Sequence, residues 1–314
     1  MNEYIEKFIE YIRFQRNYSN NTEINYSIDL EEFNNYLNEH EIKFKDISYR
    51  EISFYTKYLK EERKLEPSSI NRHLSALRSF YNYLLNQEVI NSNPFKLISG
   101  PKKSINLPNY MKYSEFETMI ETCDETPLGI RNIAILELLL ATGARIGELI
   151  EIKLNDINFN EREIKVLGKG NKERICYFNE HALVSLKRYI EESRSKLLKN
   201  KTSDYLFINH VGNHLTDRGV RTIIDAIIKK SSLNAKITPH TFRHTFATML
   251  LNAGCDLKSV QELLGHVNLS TTSIYTHVTN DRIRDIYLHT HPRSKKWVLI
   301  ILSFTEYITV SIPW

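Results

Sequence analysis

Cysteine is scarce in this chain of 314 residues: Cys123, Cys176 and Cys255 are odd in number and far apart. That pattern fits neither a disulfide framework nor a zinc site, and a reducing, cytoplasmic setting is expected. Strong charge of one sign is missing too, since the formal net charge is only +4, too little by itself to single out a nucleic-acid binder. The opening MNEYIEKFIEYIRF lacks the uninterrupted apolar run of a secretory signal. There are no internal repeats. His240 and His244 stand at the spacing of a zinc pair, but the intervening TFR lacks the Glu of an H-E-x-x-H motif, so no metal is expected there.

What is present is enough apolar sequence, 41% of the chain, for two ordinary domains with their own cores. Residues 1–100 hold 13 Lys and Arg against 15 Asp and Glu, and the remainder 29 against 23, which makes the second half the better candidate for phosphate contact. Apolar residues recur at helical spacing through the first hundred positions, as at Tyr4, Phe8, Tyr11 and Ile12, then Ile24, Leu30, Phe33 and Leu37. In PSSINRHLSALRSFYNYLL, Ser68 or Ser69 can cap a helix with the stripe Ile70, Leu74, Leu77, Tyr81 and Leu84. Arg72, His73 and Arg78 fall largely off that stripe. On periodicity alone a solvated charged face is the commoner explanation; a phosphate-facing surface is the other.

Breakers without apolar periodicity run from Asn91 to Pro108 and include the basic PKKSINLP with Lys102 and Lys103. The expected organisation is a helical domain over 1–98, a linker over 99–108, a second domain over 109–296 and an apolar tail over 297–314. In the second domain Ser114 and Glu117 form a capping-box pattern, and IRNIAILELLLATG reads as a core helix ended by Gly143. REIKVLGKGNKERICYF alternates β-formers around Gly168 and Gly170, a hairpin pattern. With helical patterns over most of 180–290 and a short strand at YLFIN, the fold class is mainly α with a small β-sheet.

Five segments carry candidate chemistry: ATGARIGEL with Arg145, LGKGNKER with Lys169, TPHTFRHTFA with His240 and Arg243, LLGHVNLSTT with His266, and SIYTHV with Tyr275. Each alone is weak. Arg145 can pair with Glu148 or Glu151, and Lys169 can be a solvated turn lysine. His240 comes after Thr238 and Pro239, an N-cap and a first-position proline, so it lies in the first turn of a helix, where anions bind well. Arg243, three residues on, shares nearly the same face.

In this order, Arg145, Lys169, H-x-x-R at His240 to Arg243, L-x-G-H at His266 and Y-T-H at Tyr275 to His277 resemble the tyrosine recombinase, or phage-integrase-like, family, nearest to its Xer-type members. The likeness runs from SNNTEINYSIDLEEF to HPRSK near residues 291–295. It implies an N-terminal helical core-binding (SAM-like) domain and a C-terminal catalytic domain that close as a C-shaped clamp on DNA. It implies strand cleavage through a 3′-phosphotyrosine at Tyr275, with Arg145 and Arg243 on the non-bridging oxygens and His266 adding a hydrogen bond. His240 is the implied base and Lys169 the acid for the leaving 5′-oxygen. Because the matched positions are cationic or imidazole, a mechanism without metal or cofactor is expected.

The partners implied are double-stranded DNA with a short inverted-repeat core site, and the chain itself in a tetrameric synapse or a second recombinase. By analogy an FtsK-type DNA translocase joins them, and no membrane does. Arg72, His73, Arg78, Lys102 and Lys103 are then candidate DNA contacts. The role expected is Xer-like dimer resolution; the alternatives are a mobile-element integrase or transposon recombinase and, with less support, a non-catalytic DNA-binding protein. Gly147 stands where related sequences often carry Ser, and the tail Trp297 to Trp314 extends beyond where an Xer-type chain is expected to end. The helical spacing of Ile283, Ile286 and Tyr287 suits either exchange between neighbours or packing within the chain.

Overall fold

Pro67 decides where one of the two longest helices of the N-terminal unit begins. A proline is tolerated at the first helical position because its missing N–H would have no partner there, so the helix spans Pro67–Asn86 with Glu66 as its N-cap, and Ser68 and Ser69 lie inside the first turn instead of capping it. The computed structural model describes residues 1–16, 18, 20–101, 110–168, 173–234, 237–265 and 276–293; for residues 20 and 276–281 it describes the backbone alone. The chain divides into two compact units at Asn106 and Leu107.

Unit one packs α1 (Asn2–Phe14), α2 (Asn20–Glu39), α3 (Tyr49–Glu61) and α4 (Pro67–Asn86) around Phe8, Phe33, Tyr55, Phe80 and Tyr81. The expected α4 stripe, Ile70 through Leu84, is buried in full. Ile24 departs from expectation, with 49% of its surface exposed. His73 is a correction of more consequence: at 2% exposure it belongs to the core and not to an outer face. Its Nε2 lies 3.0 Å from the buried Asp29 carboxylate and its Nδ1 3.3 Å from the Tyr55 hydroxyl. A buried carboxylate needs such partners, and this need overrides the surface placement that periodicity alone suggests.

Arg72 also pairs with Asp29, at 3.0 Å, and keeps part of its side chain exposed. Arg78 donates to the carbonyls of Phe95 at 3.2 Å and Ile98 at 2.7 Å, so it fastens the segment just after α4. Lys102 and Lys103 lie outside the described residues.

Unit two is built on α6 (Pro127–Thr142), buried along nearly its whole length, with α5 (Tyr113–Thr122) before it and the short α7 (Ile146–Ile150) after it in the chain. The start of α5 is another correction: its N-cap is Lys112, whose backbone N–H donates to Glu115 at 2.7 Å, and Ser114 is already helical. Strands β1 (Ile157–Asn158), β2 (Glu163–Leu167) and β3 (Glu173–Tyr177) form one antiparallel sheet in chain order, with Ile164 opposite Cys176 and Val166 opposite Arg174. Ile164 and Val166 face the core, as the period of two requires. YLFIN does not join the sheet. Among the described residues it makes only isolated bridges, Tyr205 with Lys153 and Ile208 with His214.

The remaining helices are α8 (Glu180–Arg188), continued through a wide turn into α9 (Ser195–Leu198), then α10 (Asp217–Ser231), α11 (Pro239–Asn252), α12 (Leu257–Leu264) and α13 (Thr276–Thr290). In the single chain α13 packs on its own unit. Tyr287 is fully buried against Phe246 and donates to the Ala141 carbonyl at 3.0 Å. Beyond it, Arg293 reaches Glu137 of α6 at 2.9 Å.

His291 is buried beside Phe246 and Tyr287. Burial pushes its imidazole down to about 4 from the ordinary 6.5, with Arg293 nearby adding to the effect. The unfolded chain takes up a proton as pH falls through 6.5 and the folded one resists until about 4, so stability falls across that window. The loss amounts to about 3 kcal/mol. Urea titrations at neutral pH and near its lower end should show it, and His291→Phe, which keeps an aromatic ring there, should have a shallower pH dependence. Equal slopes in the two proteins would remove His291 as the cause.

Candidate active site

Gly143 ends α6 in the left-handed conformation, φ 59°, which a glycine adopts without steric cost. Space demands glycine as well, for a Cβ there would meet the Phe246 ring at 2.6 Å. This tight exit places Arg145 as the N-cap residue of α7, where its backbone N–H and its Nη1 both reach Glu148, each at 2.8 Å. The ion pair weighed for Arg145 from sequence is therefore present. Arg145 nevertheless leaves 44% of its side chain exposed, enough to meet a ligand.

Glu148 is only 4% exposed and serves a second guanidinium, Arg174 of β3, at 2.7 Å. Burial pushes its carboxyl up, but Arg174 and the amide and guanidinium of Arg145 outweigh burial and hold it below the ordinary carboxylate value. Arg174 spends its other terminal nitrogen on the Cys176 sulfur at 2.6 Å and the Leu263 carbonyl at 3.1 Å.

Arg243 comes from another element. From α11 it donates to the carbonyls of Gly143 at 2.8 Å and Leu264 at 2.6 Å, tying the end of α6 to the end of α12. Guanidiniums suit a helix C-terminus, where carbonyls lack partners and the dipole is negative; Arg174 and Arg243 share that place on α12. Burial, then the nearby charges of Arg145 and Arg174, lower Arg243 to about 10, which still leaves it a cation at neutral pH. Three guanidiniums thus gather around one carboxylate, and the surplus of positive charge calls for an anion.

His240 stands exposed in the first turn of α11, whose N-cap Thr238 receives the Thr241 amide and donates its own amide to Thr241 Oγ1 at 2.9 Å. Arg243 extends from that helix start toward Gly143 and Leu264 and grips the ends of two helices. Lys169 falls between the paired ends of β2 and β3, His266 directly after Gly265, and Tyr275 directly before α13; all three lie outside the described residues. Gly265 is left-handed, φ 68°, and a Cβ on it would meet Arg174 Cδ at 2.5 Å.

Arg174 and the central role of Glu148 escaped sequence reasoning. The available signal was the period of two in β3, which sets a charged Arg174 on the same face as the buried Cys176, a costly position unless a carboxylate waits there. The Cys176 thiol itself, pushed up to about 11 by burial, is no nucleophile at neutral pH.

The sequence model of the Phage integrase family matches residues 109–282, and that of its N-terminal SAM-like domain matches residues 5–88. The tyrosine recombinase XerC of Anoxybacillus flavithermus is 45% identical over 291 residues, 91% of this chain and 97% of that protein. XerC of Staphylococcus epidermidis is 43% identical over 292 residues, 93% and 98% of the two chains. In fold the chain is similar to the XerH site-specific recombinase in its post-cleavage complex, with TM-score 0.66 and 24% identity over 92% of this chain and 82% of that one. The Tn1549 transposon integrase gives TM-score 0.67 and 20% identity over 89% and 98%. With both family models matched and near full-length relatives in agreement, the chain belongs to the phage integrase family, as a tyrosine site-specific recombinase of Xer-like type.

Proposed function

We propose that the chain cuts and rejoins duplex DNA at a short inverted-repeat core site, as a resolvase of chromosome or plasmid dimers. The observation that carries the reading is the gathering of Arg145, Arg174 and Arg243 around the single carboxylate of Glu148, which leaves a fixed positive surplus for a phosphodiester. Guanidiniums present paired planar donors that match two non-bridging phosphate oxygens, and preformed donors of this kind stabilise the charge of phosphoryl transfer. Arg145 and Arg243 take that role, with His266 adding a hydrogen bond. The near full-length likeness to XerC proteins favours dimer resolution over a mobile-element integrase.

In the proposed reaction the Tyr275 oxygen attacks phosphorus in line, its proton passing to a base for which His240 is the candidate. The bond from phosphorus to the 5′-oxygen breaks, and Lys169 supplies the proton that makes a free 5′-hydroxyl. The phosphotyrosine keeps the bond energy, so a 5′-hydroxyl of the partner strand reverses the step without ATP. Four copies, or copies of this chain with a second recombinase, would hold the exchanging strands. Arg72, Lys102 and Lys103 remain candidate contacts to the duplex.

Incubation with DNA carrying the core site, and then denaturation, should leave protein covalently attached. Lys169→Ala should lose this adduct on ordinary DNA and regain it when the 5′-oxygen is replaced by a better leaving group. Failure of that rescue would take the acid role from Lys169, and absence of any adduct from the native protein would count against the cleavage reaction.

A further inference from the structure

An apolar groove of about 400 Å³ opens on unit two, floored by Met111, Phe116 and Leu140 and walled by Met249 of α11. Tyr110 and Tyr113 at its mouth are half or more exposed, an uncommon use of aromatic surface unless something covers it. Pro292 forms one edge. The next residue, Arg293, is pinned by Glu137 at 2.9 Å and lies over the rings of Phe116 at 5.1 Å and Tyr113 at 5.7 Å. The chain therefore leaves unit two at a fixed point on the rim of this groove.

Beyond Arg293 the chain continues through Ser294, Lys295 and Lys296 into the tail WVLIILSFTEYITVSIPW. We propose that this tail, Trp297 to Trp314, seats in the groove of its own chain. Three spacer residues reach at most roughly 10 Å, so the first apolar side chains are delivered to the mouth. A tether that short holds its end at roughly millimolar effective concentration, well above that of a second copy in dilute solution. Charge agrees with shape: Glu306 is the sole charged residue of the tail, and Lys112 lines the groove.

Both tryptophans of the chain, Trp297 and Trp314, lie in the tail, so intrinsic tryptophan emission of the full chain reports on it alone. In lipid-free buffer the emission should be blue-shifted from that of free tryptophan, resist acrylamide quenching and stay unchanged on dilution. Tyr110→Asp, at the exposed mouth, and Met249→Asp, in the wall, should each move it to the wavelength and quenching of free tryptophan, with the far-ultraviolet circular dichroism of Tyr110→Asp matching the native protein. Emission like that of free tryptophan in the native chain would overturn the proposal. So would a blue shift that vanishes on dilution, which marks a second copy as occupant, or one that arises only with phosphatidylglycerol vesicles, which marks a membrane. A blue shift that survives both groove substitutions would place the tail elsewhere.

Discussion

Tyr275→Phe should bind the core site as the native protein does and form no covalent adduct with it. Removing one hydroxyl deletes the nucleophile and leaves the guanidinium cluster in place, so affinity and chemistry separate. A loss on the order of 10⁵-fold or more in cleavage is expected where a covalent nucleophile is removed. Fragmented genomic DNA offers the broadest substrate: denature, recover the DNA still attached to protein, and sequence it. Fragments present with the native chain and absent with Tyr275→Phe would give nucleophile and site in one experiment. Fragments that persist would move the nucleophile to another residue.

Glu148→Ala should be the most damaging single change among the described residues of the site. The carboxylate is buried and satisfies Arg145 and Arg174 together. Its removal leaves Arg174 mostly buried without its ionic partner, beside Arg243. Breaking a buried pair from one side costs about 3–5 kcal/mol, a large share of the stability of a single domain. Glu148→Gln, which keeps the shape and can still accept a hydrogen bond, should fold better yet show weakened cleavage, because the two guanidiniums lose their shared anchor. Urea titration of both variants beside the native chain checks the first part, and adduct yield at saturating DNA checks the second. If Glu148→Ala unfolds with the native midpoint, Glu148 does not hold the cluster.

Much of this arrangement was legible from residue order. Gly143 as a helix stop, Pro239 as a helix start and the alternation in β2 each derive from local stereochemistry, and each is found where expected. His73 and YLFIN were not legible, for a common reason. His73 is drawn inward by Asp29, 44 positions earlier in the chain, and Tyr205 meets Lys153 without enough neighbours to make a strand. Periodicity sees neighbours along the chain and is blind to such partners. The same blindness hid Arg174, whose meaning depends on Glu148 and on the end of α12.

A guanidinium carries five N–H groups, and in Arg243 two of the nitrogens are occupied by the carbonyls of Gly143 and Leu264. Its orientation is thereby set during folding, before any DNA arrives, and little rotational freedom remains to be lost on binding. The cluster in turn is electrostatically frustrated, with like charges held together by backbone carbonyls and one carboxylate. Free multivalent anions such as sulfate should therefore settle there, steadying the resting protein against heat while competing with its substrate.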